Sequence, residues 1–268
     1  MTGVAVKTAA VTGQLTLPYA EVGDPAGIDV VFVHGYVESW RYLEALLERL
    51  PPFIHGYAPT QRGHGDADRP RDGYRPADYA ADLVAFMDAV GVRRAVLVGT
   101  SSGGLVAEVV AGSSSDRVSG LVLVSTPATL ADKPGVAEMW ETIARLEDPL
   151  DRAFVEGFVR ATSPESLPEG VVDDLVDESL KAPARVWKGA MRGLIDSDAT
   201  AMLDRITAPT LLIWGDHDPV VPRSDQDTIV NRIRGARLVV YPGAGHGVHL
   251  EQPDRVVNDL ADFVAGLS

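Results

Sequence analysis

The segment Gly99-Thr100-Ser101-Ser102-Gly103-Gly104 places a serine hydroxyl in a frame that can make it a nucleophile. An apolar run, Val96-Leu97-Val98, leads into it, and a helix-like stretch, Leu105-Val106-Ala107-Glu108-Val109, leads out. Strand, sharp turn and helix in that order push the central serine of G-x-S-x-G out above the end of a sheet. Glycines two residues before and two after leave space where a Cβ would clash. Ser101 has Gly99 and Gly103 at those positions, whereas Ser102 has Thr100 at minus two, so Ser101 is the candidate. Glycine and serine also crowd into ordinary turns, so the turn gains weight from its partners elsewhere in the chain.

A serine hydroxyl needs a base to take its proton and a third group to fix the tautomer of that base. Around such a turn the expected chain order is serine, acid, histidine. Two downstream loops supply these groups. Gly215-Asp216-His217-Asp218-Pro219-Val220-Val221-Pro222 follows the apolar run ending at Trp214. Pro242-Gly243-Ala244-Gly245-His246-Gly247 follows the run ending at Tyr241. Asp216 and Asp218 each fit either an orienting acid or a loop cap bonding its own backbone. His249 competes with His246 but lacks its glycine frame, and His217 reads as a solvated loop residue. The negative charge that develops on attack needs donors already in place. The serine turn offers the backbone N–H of Ser102, and a second should come from the loop at His34-Gly35-Tyr36.

The elements that must position these loops alternate. Val4 to Ala10 and Gln14 to Glu21 read as an edge hairpin, and Asp29 to Val33 as a strand buried on both faces. Trp40, Leu43, Leu46, Leu47 and Leu50 share a helical face that Pro51-Pro52 ends. Further strands are expected at Phe53 to Ala58, Ala95 to Val98, Gly120 to Ser125, Thr210 to Trp214 and Ala236 to Tyr241. Amphipathic helices are expected around Tyr79 to Val90 and from Pro253 to Ala265. Alternation of this kind builds a mostly parallel α/β sheet. From Ala131 to Ile206 the pattern is instead helical and dotted with prolines, a helical insertion between two strands of one sheet.

Composition narrows the partners. The 268 residues carry 24 Lys and Arg against 38 Asp and Glu, a net charge of −14, so the basic footprint of a nucleic-acid binder is missing. With no cysteine, disulfide frameworks, thiolate metal sites and cysteine nucleophiles drop out together. No apolar run approaches the roughly 20 residues of a membrane span, and the first residues lack a signal-peptide pattern. The expectation is a cytoplasmic protein acting on a small molecule, with no metal, no cofactor, and no nucleic-acid or membrane partner.

Taken together, these motifs resemble those of the α/β-hydrolase superfamily, in particular its capped, esterase- and lactonase-like members. The acid loop is similar to the family's G-x-x-D-x-x-x-P through Gly215, Asp218 and Pro222. The histidine loop is similar to its G-x-G-H followed by Glu-x-Pro, through Gly243, Gly245, His246, Glu251 and Pro253. His34-Gly35-Tyr36 resembles the H-G-x turn, and Arg62-Gly63-His64-Gly65 the R-G-H-G loop. The resemblance implies an α/β-hydrolase fold: a mostly parallel eight-stranded sheet flanked by helices, with a helical cap inserted after the sixth strand. Residues 1–130 and 207–268 would form the core and 131–206 the cap.

It further implies Ser101 as nucleophile, His246 as base and Asp218 as acid. Tyr36 and Ser102 would supply the oxyanion N–H groups, while His34, His64 and Asp216 would be structural. Trp140, Phe158, Trp187 and Met191 would line an apolar pocket over Ser101, the other apolar cap residues serving to pack it. Thr60, Ala67, Thr100 and Ser102 replace the aspartate, serine, histidine and bulky apolar residue common at those places. In epoxide hydrolases and haloalkane dehalogenases an aspartate occupies the nucleophile position, where this chain has Ser101. The implied activity is hydrolysis of a carboxylic ester or lactone of a small to medium apolar substrate. Carbon–carbon bond hydrolysis, acyl transfer and peracid formation use the same machinery. A ligand-binding or signalling module with slow turnover is the alternative of a different class.

Overall fold

The computed structural model describes residues 3–11, 15–131, 133 and 135–267. Eight strands form one sheet: β1 (Ala5–Ala10), β2 (Thr16–Val22), β3 (Ile28–Val33), β4 (Ile54–Pro59), β5 (Ala95–Thr100), β6 (Val118–Val124), β7 (Thr210–Gly215) and β8 (Arg237–Tyr241). Their order is β1-β2-β4-β3-β5-β6-β7-β8. β1 and β2 form an antiparallel pair at the edge, β2 runs antiparallel to β4, and all pairs from β4 to β8 are parallel. This is the mostly parallel eight-stranded sheet that the sequence predicts. The Gln14 end of the second predicted strand lies outside the described residues.

Helices follow as α1 (Glu44–Leu47), α2 (Pro76–Ala89), α3 (Ser102–Ser113), α4 (Val136–Ile143), α5 (Arg152–Thr162), α6 (Glu169–Leu180), α7 (Ala184–Ile195), α8 (Thr200–Leu203), α9 (Arg223–Arg232), α10 (Val248–Glu251) and α11 (Pro253–Ala265). Successive strand residues point to opposite faces of a sheet, and the two cores sort accordingly. Val31, Val33, Leu97, Leu121 and Leu123 pack with Leu83, Phe86 and Met87 of α2 and with Leu105 and Val110 of α3. Val30, Phe32, Val96, Val98, Val122 and Val124 pack instead with Leu46 and Leu47 of α1 and with Val256, Leu260 and Phe263 of α11. Every residue of β5 and β7 is buried, which the near-continuous apolar runs Ala95–Val98 and Leu211–Trp214 satisfy.

The single helix predicted from Trp40 onward is a 3₁₀ turn over Trp40–Leu43 followed by the one-turn α1. Ser39 starts it by accepting the Arg41 N–H at 3.2 Å. The apolar face is kept, since Trp40, Leu43, Leu46 and Leu47 are all buried. Five helices, α4 to α8, fill the chain between β6 and β7. Helix α7 lies close to the loop before α2, because a Cβ on Gly193 would come within 2.2 Å of the Tyr74 carbonyl oxygen. Arg185 of α7 donates to the Arg69 and Pro70 carbonyls at 2.9 and 2.6 Å. No described helix is long and apolar enough to cross a membrane.

Helix α3 approaches the end of β3 just as closely as α7 approaches Tyr74. A Cβ on Gly103 would meet the Val33 and His34 carbonyl oxygens at 2.3 and 2.4 Å, and these are backbone atoms that cannot rotate away. Gly103→Ala should therefore cost about 3 kcal/mol, the upper end of what overpacking usually costs. Gly157→Ala, in helix α5 with nothing near its Cβ, should gain about 0.5–1 kcal/mol. Urea denaturation of the two variants checks both signs.

Candidate active site

Ser101 sits between β5 and α3 with φ 49° and ψ −124°, a left-handed conformation for a residue with a Cβ. The turn is held by Ser101 N–H donating to the Val124 carbonyl at 2.8 Å and Gly104 N–H donating to the Ser101 carbonyl at 3.0 Å. It closes only because its glycines are bare: a Cβ on Gly99 would meet the Gly104 Cα at 2.5 Å. Strain of this kind persists where the surroundings overdetermine it. Here β3, β6 and α3 all press on the turn. Its effect is to hold the Ser101 hydroxyl clear of the helix.

Two loops bring partners to that hydroxyl. β7 and β8 pair through Gly215 and Tyr241, so the loops after them start side by side. They are then stitched together. His217 N–H donates to the Ala244 carbonyl at 3.0 Å, and Gly243 N–H donates to Asp216 Oδ1 at 2.6 Å. Glu251 accepts the Gly245 N–H at 2.9 Å and fixes the histidine loop from the other side. The result is a continuous relay: Ser101 O–H donates to His246 Nε2 at 3.0 Å, and His246 Nδ1–H donates to Asp218 Oδ2 at 2.9 Å. Asp218 Oδ1 accepts the Val220 and Val221 N–H groups at 2.8 and 2.9 Å, which locks the carboxylate plane. Asp218 has no exposed side-chain surface, while His217 between the two aspartates points to solvent.

The loop after β3 supplies the opposite wall. His34 is fully buried; its Nδ1–H donates to the Gly35 carbonyl and its Nε2 accepts the Gln61 N–H, each at 2.9 Å. Burial holds its pKa well below that of a free histidine, so it braces the loop as a neutral ring. Glu38 accepts the Gly35 N–H at 2.7 Å, and Val37 between them takes a positive φ of 54°. Tyr36 is pinned by its hydroxyl, which donates to the Trp187 carbonyl of α7 at 2.7 Å. The backbone N–H groups of Tyr36 and Ser102 make no hydrogen bond among the described residues. Below this loop Arg62 forms a two-pronged pair with Asp82 at 2.5 and 2.6 Å. His64 Nδ1–H donates to the Arg62 carbonyl at 2.8 Å.

Helix α7 roofs the site with one face, because residues three, four and seven apart share a side. Trp187 is completely buried and stacks edge-on against Tyr36 and Phe158, with ring centroids 5.6 and 5.2 Å away. Met191 is also buried. Trp140 of α4 is partly exposed, with the Arg192 guanidinium 5.7 Å above its ring. The cavity beside Tyr36 and Ser102 is lined from this roof by Ala190 and Leu194, and from α3 by Val106.

A fold and a site of this description are those of an α/β hydrolase. A profile of the Alpha/beta hydrolase family matches residues 30–260, and the chain belongs to that family. Among curated relatives it is 30% identical to a non-heme chloroperoxidase of Streptomyces lividans, over 92% of this chain and 95% of that one. It is 29% identical to epoxide hydrolase A of Mycobacterium tuberculosis, over 96% of each. Among solved structures, an esterase from a Rhodococcus species superposes with a TM-score of 0.87 at 26% identity, covering 98% of this chain and 99% of the other.

Several buried polar groups near the site escape a reading of motifs. Glu38 lies inside an otherwise apolar turn, and burial raises its pKa to about 7. Glu108, one helical turn beyond Gly104, is fully buried with both carboxylate oxygens unpaired among the described residues. Burial raises its pKa well above the carboxylate range, so it is held as the neutral acid. The only sequence signal for it is a charged residue on the apolar face of α3. His249 is buried with neither ring nitrogen paired among the described residues. Burial, with the nearby His246 adding to it, lowers its pKa to about 3.

His249 makes the stability of the fold depend on pH. Between pH 6.5 and 3 the unfolded chain takes up a proton that the folded chain refuses, so stability falls as pH falls through that window. Stability of His249→Leu relative to the parent should therefore rise by about 1.4 kcal/mol per pH unit lowered between pH 6 and 4. Paired urea titrations cancel the contributions of Glu38, Glu108 and the other groups common to both proteins.

Proposed function

We propose that this protein is a serine hydrolase of carboxylic esters or lactones, with Ser101, His246 and Asp218 as its catalytic triad. The observation that carries the reading is the unbroken relay from Ser101 Oγ through His246 to Asp218, at 3.0 and 2.9 Å. Ser101 Oγ attacks the carbonyl carbon while its proton passes to His246 Nε2. The oxyanion so formed accepts hydrogen bonds from the Tyr36 and Ser102 N–H groups, whose lack of partners supports that role. His246 returns the proton to the departing alkoxide, leaving an acyl-serine. Water then attacks that carbonyl, gives its proton to His246 and releases the acid and the free serine. Asp218 keeps the imidazole in the required tautomer and stabilises its cation. Helices α4 to α8, residues 131–206, act as the cap over this chemistry, and the aromatic group around Trp187 gives that roof its apolar character.

Ser101 argues against epoxide opening despite the likeness to an epoxide hydrolase, since a serine in place of an aspartate cannot form the hydrolysable alkyl ester that such a reaction needs. The likeness to a non-heme chloroperoxidase favours a second reaction of the same acyl-enzyme, in which hydrogen peroxide replaces water and a peracid leaves. Ester turnover and peracid formation can be followed in the same assay.

Ser101→Ala should lower kcat/KM for nitrophenyl esters at least about 10³-fold and abolish labelling by a fluorophosphonate. Asp218→Asn should keep the fold and lower kcat by about 10⁴-fold through the wrong imidazole tautomer. Unchanged turnover in Ser101→Ala would sink the reading.

A further inference from the structure

The small cavity behind Tyr36 and Ser102 has an unusual floor. Its walls are apolar: Val106 from α3, Ala190 and Leu194 from α7. At its other side stand Gln61, His64 and Tyr79. Gln61 spends its amide N–H on the His34 carbonyl at 2.8 Å, which leaves its Oε1 buried and unpaired among the described residues. The Tyr79 hydroxyl is likewise buried and unpaired. His64 donates through Nδ1, so its Nε2 is a further acceptor, and burial keeps the ring neutral with a pKa of about 4. Residues that carry an unpaired acceptor and an unpaired hydroxyl thus line one confined space, beside the neutral His64. Buried groups of this kind penalise a guest that leaves them unpaired.

We propose that this cavity is the acyl pocket of the serine hydrolase and that it selects short acyl groups bearing a hydroxyl. The inference rests on the serine-hydrolase reading above and adds the substrate class. A hydroxyl donates to Gln61 Oε1 and accepts from Tyr79 O–H, satisfying both at once, whereas a methyl group in the same place satisfies neither. Size agrees. The cavity has about 10 Å³ of free space, room for about one water-sized group. Tyr36 and Ser102 line the same cavity, so it lies next to an acyl group whose carbonyl oxygen meets their N–H groups. A permanently held water would meet the same two partners, and the test separates these occupants.

Isosteric ester pairs read the difference: methyl glycolate against methyl propionate, and methyl 3-hydroxypropionate against methyl butyrate. Each kcat/KM is divided by the hydroxide-catalysed rate of the same ester to remove intrinsic reactivity. The parent protein should favour the hydroxylated member about tenfold or more, the worth of one well-made buried hydrogen bond. Tyr79→Phe should lower that ratio about tenfold, with circular dichroism confirming its fold. A ratio near one in the parent means that the cavity keeps a water, and it overturns the inference while leaving the serine hydrolase intact. An unchanged ratio in folded Tyr79→Phe overturns it as well. No turnover of any ester, together with no fluorophosphonate label on Ser101, overturns both readings.

Discussion

Everything in this molecule is arranged around the contact of one helix with one strand. Helix α3 can begin where it does only if its first turn lies against the backbone of β3, with carbonyl oxygens where side chains would otherwise be. That approach leaves Gly103 no room for a Cβ, while Gly99 is closed off by the start of α3 and Gly104 by Thr126, and between them Ser101 takes a left-handed conformation. A backbone held this way turns the serine side chain away from the helix and toward the open end of the sheet. It also leaves the first N–H of the helix without an intrahelical partner, as at every helix start. Strain and unused donor arise from the same packing. Both are located at the carboxyl ends of parallel strands, where open α/β sheets collect their functional groups.

The partners must then come to the serine, and their strands are not adjacent. β8 lies three strands from β5, about 14 Å at the usual spacing. The histidine loop spans that distance because it is tied to the acid loop along its length and clamped by Glu251 at its end. Asp218 is in turn held by two backbone N–H groups that have no other role. The imidazole is therefore positioned by short-range bonds within each loop, Asp218 to Val220 and Val221 and Glu251 to Gly245, and by the bonds that join residues 216–218 to residues 243–246 across the two loops.

That locality explains what could be read from sequence. Glycine, proline and acidic residues at fixed offsets define the loops at Ser101, Asp218 and His246, so their convergence was legible before any coordinates. Period-two and near-continuous apolar runs likewise located all eight strands to within a residue or two. The roof was less legible. Trp187, Ala190, Met191 and Leu194 share one face of α7, and amphipathic spacing treats them alike. Which of them packs on Tyr36 and which borders the cavity depends on the crossing of α7 over the loop at Tyr74, set by Gly189 and Gly193. Buried single polar groups were least legible of all. Glu38, Glu108, Tyr79 and Gln61 take their meaning from tertiary enclosure, which leaves no periodic trace in a chain.

Among the hydrogen bonds between α7 and the core, one reaches the loop after β3. The Tyr36 hydroxyl is fastened to the main chain of α7, while the N–H of the same residue has no partner among the described residues. Helix and loop are thus coupled through Tyr36, so that whatever displaces α7 also displaces the loop whose N–H the proposed reaction uses.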